Sequence, residues 1–118
     1  TIIADAQRLE RVLANLIDNA VKFTPRDGLV TVSSQADTDG NLVVAVNDTG
    51  PGIPPEQREH VFERFAQTET GRKGKGFGLG LAFCRIVIEG HRGTIRAEEG
   101  DGGVGTKFVF RLPPTPLW

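Results

Sequence analysis

The stretch RVLANLIDNAVKF, residues 11–23, sets Val12, Leu13, Leu16, Ile17 and Ala20 at helical spacing and strings Asn15, Asn19 and Lys22 along the flank of that apolar stripe. With Leu9 ahead of it, Asp5 placed to cap its start and Pro25 forbidding continuation past Thr24, the pattern predicts one long amphipathic helix. At about 100° per residue, the three polar residues fall roughly 100° or more from the centre of the apolar face and so line its margin. Asparagine beside a helix core is costly without a partner. A metal ion carrying a polyphosphate would be one, since the amides offer oxygen and the lysine meets anionic oxygen. Downstream, DTGPGIP (48–54), KGKGFGLG (73–80) and GGVGT (102–106) carry glycines that can bring backbone N–H groups to phosphate.

After the helix, Val30, Val32 and Ser34 alternate in a first strand, and DTDGN (37–41) makes a tight turn into LVVAVND (42–48), which predicts a hairpin. Strand side chains alternate with period two, so Leu42, Val44, Val46 and Asp48 share one face, and Asp48 is expected to point inward at the end of an apolar row. Pro54 and Pro55 can open a short helix through Val61, with Phe62 and Phe65 behind it. The segment from Ala66 to Phe77 is polar, basic and glycine-rich, and is expected to be mobile. Leu79, Ala82, Phe83, Ile86 and Val87 then set a second long helix that Gly90 ends. GTIRAEE (93–99) and GTKFVFRL (105–112) read as the last two strands, and Thr1–Ala4 as a short extended entry. Helices covering one face of a mixed, mostly antiparallel sheet make a two-layer α/β sandwich.

A chain of 118 residues suits one compact domain, spanning 1–118. Its net charge of -1 offers no basic field to nucleic acid. Cys84, the lone cysteine, lies in LAFCRIVI (81–88) and reads as a buried thiol. There is no run of 18 apolar residues and no signal-peptide pattern. The abrupt start at TIIAD and the proline-bearing end RLPPTPLW suit a domain excised from a longer protein, itself free to be membrane-anchored.

GFGLG (76–80) is not a dinucleotide fingerprint: its glycines alternate, a polar loop precedes it and no βαβ unit surrounds it. Neither lysine before it is followed by the hydroxyl of a phosphate-binding P-loop. Two readings stay open for Gly76, Gly78, Leu79 and Gly80: a hinge, or a backbone cradle feeding phosphate to the free N–H groups of the next helix beside Arg72, Lys73 and Lys75. Asp48 likewise reads either as a turn cap in DTG or as a buried carboxylate meeting the exocyclic amine of adenine, with Gly50 and Gly52 leaving room for a flat base.

Together these segments resemble the catalytic and ATP-binding domain of sensor histidine kinases, in the Bergerat-fold group that also includes gyrase, MutL and chaperone ATPases. NLIDNAVKFT (15–24) is similar to that family's N box, DTGPGIP to its first glycine box, VFERF (61–65) to its F box, GFGLGLA (76–82) to its second glycine box and GVGT (103–106) to its last glycine–threonine element. The resemblance implies ATP and Mg2+ as cofactors. Carried onto these positions, it implies Asn19 as principal magnesium ligand, Asn15 as a phosphate-side contact and Lys22 as a neutraliser of phosphate charge. It assigns Asp48, supported by Thr106, to adenine, Gly50 and Gly52 to the base pocket, and Gly76, Gly78, Leu79 and Gly80 to the polyphosphate.

The activity so implied is donation of the γ-phosphoryl group to a histidine on a separate dimerisation and phosphoacceptor domain, with a response regulator as next recipient and this domain a cytoplasmic monomer. At position 15 the hydrolysing branch of the group carries glutamate. The amide of Asn15 cannot serve as a general base, which favours transfer to a protein over hydrolysis. Phe77 departs from a family position where small or hydroxyl-bearing residues are commoner. His60 and His91 lack phosphoacceptor surroundings and are expected in surface or helix-end roles. A second reading, a nucleotide-responsive interaction module without productive kinase chemistry, would keep the same pocket.

Overall fold

A computed structural model describes residues 4–63 and 80–114. The first helix, α1 (Ala6–Phe23), starts where the Asp5 carboxylate accepts the Arg8 N–H at 3.0 Å. It stops at extended Thr24, whose hydroxyl donates to the Ala20 carbonyl at 2.5 Å ahead of Pro25. Val12, Leu16, Ala20 and Phe23 are buried, while Leu9, Leu13 and Ile17 pack at the rim. The buried line therefore lies nearer to Asn15 and Asn19 than the centre of the whole apolar stripe does.

The strands β1 (Val30–Ala36), β2 (Leu42–Asp48), β3 (Thr94–Glu99) and β4 (Thr106–Leu112) form a sheet of order β1-β2-β4-β3, and each pairing is antiparallel. In the β1–β2 turn, the Asn41 side chain donates to Asp37 and is the main cause holding that carboxyl below its usual range. The inner face presents Val44 and Val46 from β2, Phe108, Phe110 and Leu112 from β4, and Ile95 and Ala97 from β3, all buried. Both helices pack on this face, giving the expected two layers. β1 is the exposed edge.

The second helix, α2 (Gly80–Gly90), buries Leu81, Ala82, Cys84, Val87 and Ile88, whereas Ile86 is 71% exposed. The expected stripe through Phe83 and Ile86 is thus rotated. A helix apolar on most of its circumference has no period strong enough to choose a face.

In place of one short helix from Pro54 to Val61, the chain makes two 3-10 turns, Pro55–Gln57 and His60–Phe62. A segment this short is closed by i to i+3 bonds such as Arg58 N–H to the Pro55 carbonyl at 3.3 Å. Phe62, the last residue of the second turn, is core: it meets Phe108 edge-on at 6.0 Å between centroids, and the Arg85 guanidinium lies 4.3 Å over its ring. Arg85 is held there by Glu59 at 2.6 Å. Thr1–Ile3, Phe65 and the segment from Ala66 to Phe77 lie outside the described residues. Among the described residues no helix is long and apolar enough to cross a membrane.

Two consequences are measurable. Phe108→Ala removes a fully buried ring and its partner for Phe62, and should cost about 3–5 kcal/mol in urea denaturation. Burial pushes the Cys84 thiol from 9.0 up to about 12. Below pH 9 both folded and unfolded thiols are protonated and the contribution is fully present; from 9 towards 12 only the unfolded chain ionises, so stability falls as pH rises through that window. Denaturation midpoints across it should fall less steeply in Cys84→Ala.

Candidate functional site

Period-two alternation along β2 carries Asp48 to the inner face at the strand's end, where it is 1% exposed and its Oδ1 accepts the Gly50 N–H at 2.8 Å. Thr106, 0% exposed, stands directly across from it as the first residue of β4. Two close approaches seal this corner. A Cβ on Gly105, whose φ is +76°, would lie 1.8 Å from the Asp48 carbonyl oxygen, and one on Gly50 would lie 2.7 Å from the Phe23 carbonyl oxygen. The end of β2, the start of β4 and the last turn of α1 therefore converge on the carboxylate.

One turn back from Phe23, Asn19 is half-buried, and its Nδ2 has no solvent contact and no partner among the described residues. One turn further, the Asn15 amide donates to the Gly80 carbonyl at 3.5 Å, joining α1 to the first residue of α2. Lys22 is exposed, its ammonium 5.5 Å from the Phe23 ring centroid. Gly52, with φ +81°, and Gly105 border a cavity of about 260 Å³ shared with Ile53, Arg58 and Glu99. Gly76, Gly78 and Leu79 lie outside the described residues. Asn15 and Asn19 lie on α1, which meets Gly80 through Asn15 and Gly50 through Phe23, and Asp48 and Thr106 pair beside Gly50; the cradle at Gly76, Gly78 and Leu79 stays an expectation.

The donor set fits an adenine nucleotide. The Thr106 hydroxyl, like Asn19 Nδ2, is buried without a partner among the described residues, and a hydroxyl beside a buried carboxylate matches the mixed donor and acceptor edge of adenine. Histidine plays no part in this corner. His60 Nδ1 lies 2.7 Å from the Glu63 carboxylate; His91 Nδ1 donates to the Val87 carbonyl at 2.8 Å, and its Nε2 accepts the Asp5 N–H at 2.9 Å. Sequence reasoning missed Thr49, whose hydroxyl accepts the Leu29 N–H at 2.9 Å while its own N–H donates to the Leu29 carbonyl at 3.2 Å. DTG marks a turn, but nothing local marks a partner twenty residues away.

An antiparallel sheet with helices on one face and an enclosed aspartate at a strand end opposite an asparagine-bearing helix defines a Bergerat-type α/β ATPase fold. Residues 4–116 match the family described as histidine kinase-, DNA gyrase B- and HSP90-like ATPase, and the chain belongs to that family. It is 37% identical over 115 residues to the adaptive-response sensory kinase SasA of Trichormus variabilis, covering 98% of this chain and 28% of that protein. The solved mycobacterial sensor histidine kinase MprB is similar with a TM-score of 0.89 at 37% identity, over 98% of this chain and 78% of that one. Full-length ShkA in complex with AMPPNP gives 0.81 at 39% identity, over 96% of this chain and 23% of that one.

Gly105→Ala should be more damaging than Gly102→Ala. Both glycines have positive φ, but a Cβ at 102 meets nothing within 4 Å, whereas at 105 it strikes backbone. Left-handed strain alone costs about 1–2 kcal/mol; guanidinium denaturation should show that order of loss for Gly102→Ala and a clearly larger one for Gly105→Ala.

Proposed function

We propose that this domain binds ATP with magnesium and presents the γ-phosphoryl group to a histidine on a separate dimerisation and phosphoacceptor domain of a longer protein, from which a response regulator receives it. The observation that carries the reading is the enclosed Asp48, shut in by Gly50, Gly105 and Thr106. Family membership and the AMPPNP named in the ShkA complex support a nucleotide there.

Asp48 accepts the exocyclic amine of the base, and the Thr106 hydroxyl supports that contact. Asn19 offers its carbonyl oxygen to magnesium. Among the described residues no three His, Cys, Asp or Glu side chains gather as a metal site, so most ligands would come from phosphate and water. The ion, when bound, neutralises charge on the phosphates. Lys22 at the exposed end of the same stripe adds a further positive charge. Transfer breaks the bond from the γ-phosphorus to the β–γ bridging oxygen and forms one to an imidazole nitrogen, leaving ADP; alignment and charge stabilisation are what the domain contributes. Asn15, an amide within reach of the Gly80 carbonyl, has no basic group with which to activate water. Such a domain works in the cytoplasm, where ATP and response regulators are found, whether or not the longer protein crosses a membrane.

Calorimetry separates the two halves of the site. Asn19→Ala should weaken ATP binding much more in magnesium than in chelator, while Asp48→Ala should weaken ATP in both and erase preference over GTP. Each buried contact is worth about 1–3 kcal/mol, or roughly five- to 150-fold in affinity. Equal loss of metal dependence in both variants, or preserved ATP preference without Asp48, contradicts the assignment. Joined to its upstream segment, the domain should form phosphohistidine; failure despite ATP binding favours the interaction-module reading.

A further inference from the structure

Asn47 precedes Asp48 on β2, so alternation turns it to the opposite, outer face of the sheet. It is only 9% exposed there, between Thr31 on β1 and Lys107 on β4. Its Oδ1 accepts the backbone N–H of Asp101 at 2.9 Å. An N–H can be met only by the amide oxygen, which settles the side chain's orientation. Asp101 opens the 3-10 turn Asp101–Gly103 that connects β3 to β4. Lys107, the cross-strand neighbour of Asn47, holds the Asp101 carboxylate at 2.5 Å; that lysine also faces Glu98, which pairs with Arg96.

The turn closes on itself through the Gly103 N–H to the Gly100 carbonyl and the Gly100 N–H to the Gly105 carbonyl, both at 3.0 Å. Those bonds set its shape. The Asn47 bond sets where that shape sits on β2, and the far end of the same turn is Gly105, pressed against the Asp48 carbonyl, followed by Thr106. We infer that Asn47 is a positioning residue: from the outer face it anchors the β3–β4 turn and so holds Gly105 and Thr106 in register against Asp48. Its bearing on nucleotide affinity rests on the reading of Asp48 and Thr106 as the adenine contact.

The test uses the 118-residue chain, amide hydrogen exchange at Gly103–Thr106 by NMR, and calorimetry with magnesium ATP. Asn47→Leu keeps the volume and loses the acceptor; it should speed exchange at those amides and weaken ATP about fivefold. Asn47→Asp keeps an acceptor oxygen and should stay close to the native values. Asp101→Pro removes the donor from the other side, together with the carboxylate that Lys107 holds, so Asp101→Ala, which loses the carboxylate and keeps the N–H, is its control. Gly100 is already extended at ψ 163°, the conformation a following proline requires, and proline suits the first position of a turn. Measured against Asp101→Ala, Asp101→Pro should reproduce the Asn47→Leu effects, and adding Asn47→Leu to it should go no further. Should Asn47→Leu fail to fold, Asp101→Pro compared with Asp101→Ala decides by the same readouts.

Native exchange and affinity in Asn47→Leu or Asp101→Pro, or Asn47→Asp behaving like Asn47→Leu, overturns the inference. If the native chain binds no ATP, the nucleotide reading falls and takes the affinity effect with it. Normal native binding that is unmoved by loss of the bond defeats this inference alone.

Discussion

The register between β2 and β4 is the constraint on which core and site both depend. It pairs Val46 with Phe108 and Val44 with Phe110 in the interior, and the same ladder, extended to its end, sets Asp48 against Thr106. A slip of one residue would turn every side chain of one strand to the other face. A slip of β4 would expose the phenylalanines, and a slip of β2 would exchange Asp48 for Asn47 in the buried corner. Apolar burial, worth about 25 cal/mol per Å² removed from water, therefore protects a polar arrangement that could not specify its own position. Gly105 adds a backbone contact only glycine allows, and locks the ladder at the end where its apolar support runs out.

The helix α1 works as a rigid ruler across this frame. At about 1.5 Å per residue its 18 residues span roughly 27 Å. Along that length its contacts change in order: the Asp5 N–H to His91 at the start, Asn15 to Gly80 in the middle, and the Phe23 carbonyl against Gly50 at the end. One helix thus sets the relative positions of both ends of α2 and of the loop after β2. Asn15 and Asn19 occupy neighbouring turns of the ruler, so their separation is given by helical geometry and needs no loop to maintain it.

Much of this was legible because it rests on strong local periodicity. The α1 stripe, its Asp5 cap and Pro25 stop, the β1–β2 hairpin and the inward turn of Asp48 all follow from spacing within a dozen residues. The buried face of α2 was not, because Leu81, Phe83, Cys84, Ile86 and Ile88 point around most of the circumference and only packing selects among them. Nor were the 3-10 turns after Pro54, because so short a segment carries no periodicity that separates i to i+3 from i to i+4 closure. Thr49 and Asn47 escaped notice because each bonds a residue distant in sequence, and neither type in its local context names a partner.

What unites the legible and illegible parts is the uneven distribution of cost. Across the sheet's middle, interior positions are apolar and interchangeable in kind: valine, isoleucine and alanine all stand against phenylalanine. At one end the chain instead buries a carboxylate, a hydroxyl and an asparagine amide, and places a positive-φ glycine against backbone. Each buried polar atom left unsatisfied costs about 1–3 kcal/mol, and leucine or valine there would be cheaper for folding alone. A stable sandwich needs none of these choices. That they share one corner, with a helix margin of asparagines beside it, is the pattern expected when folding free energy has been spent on recognition.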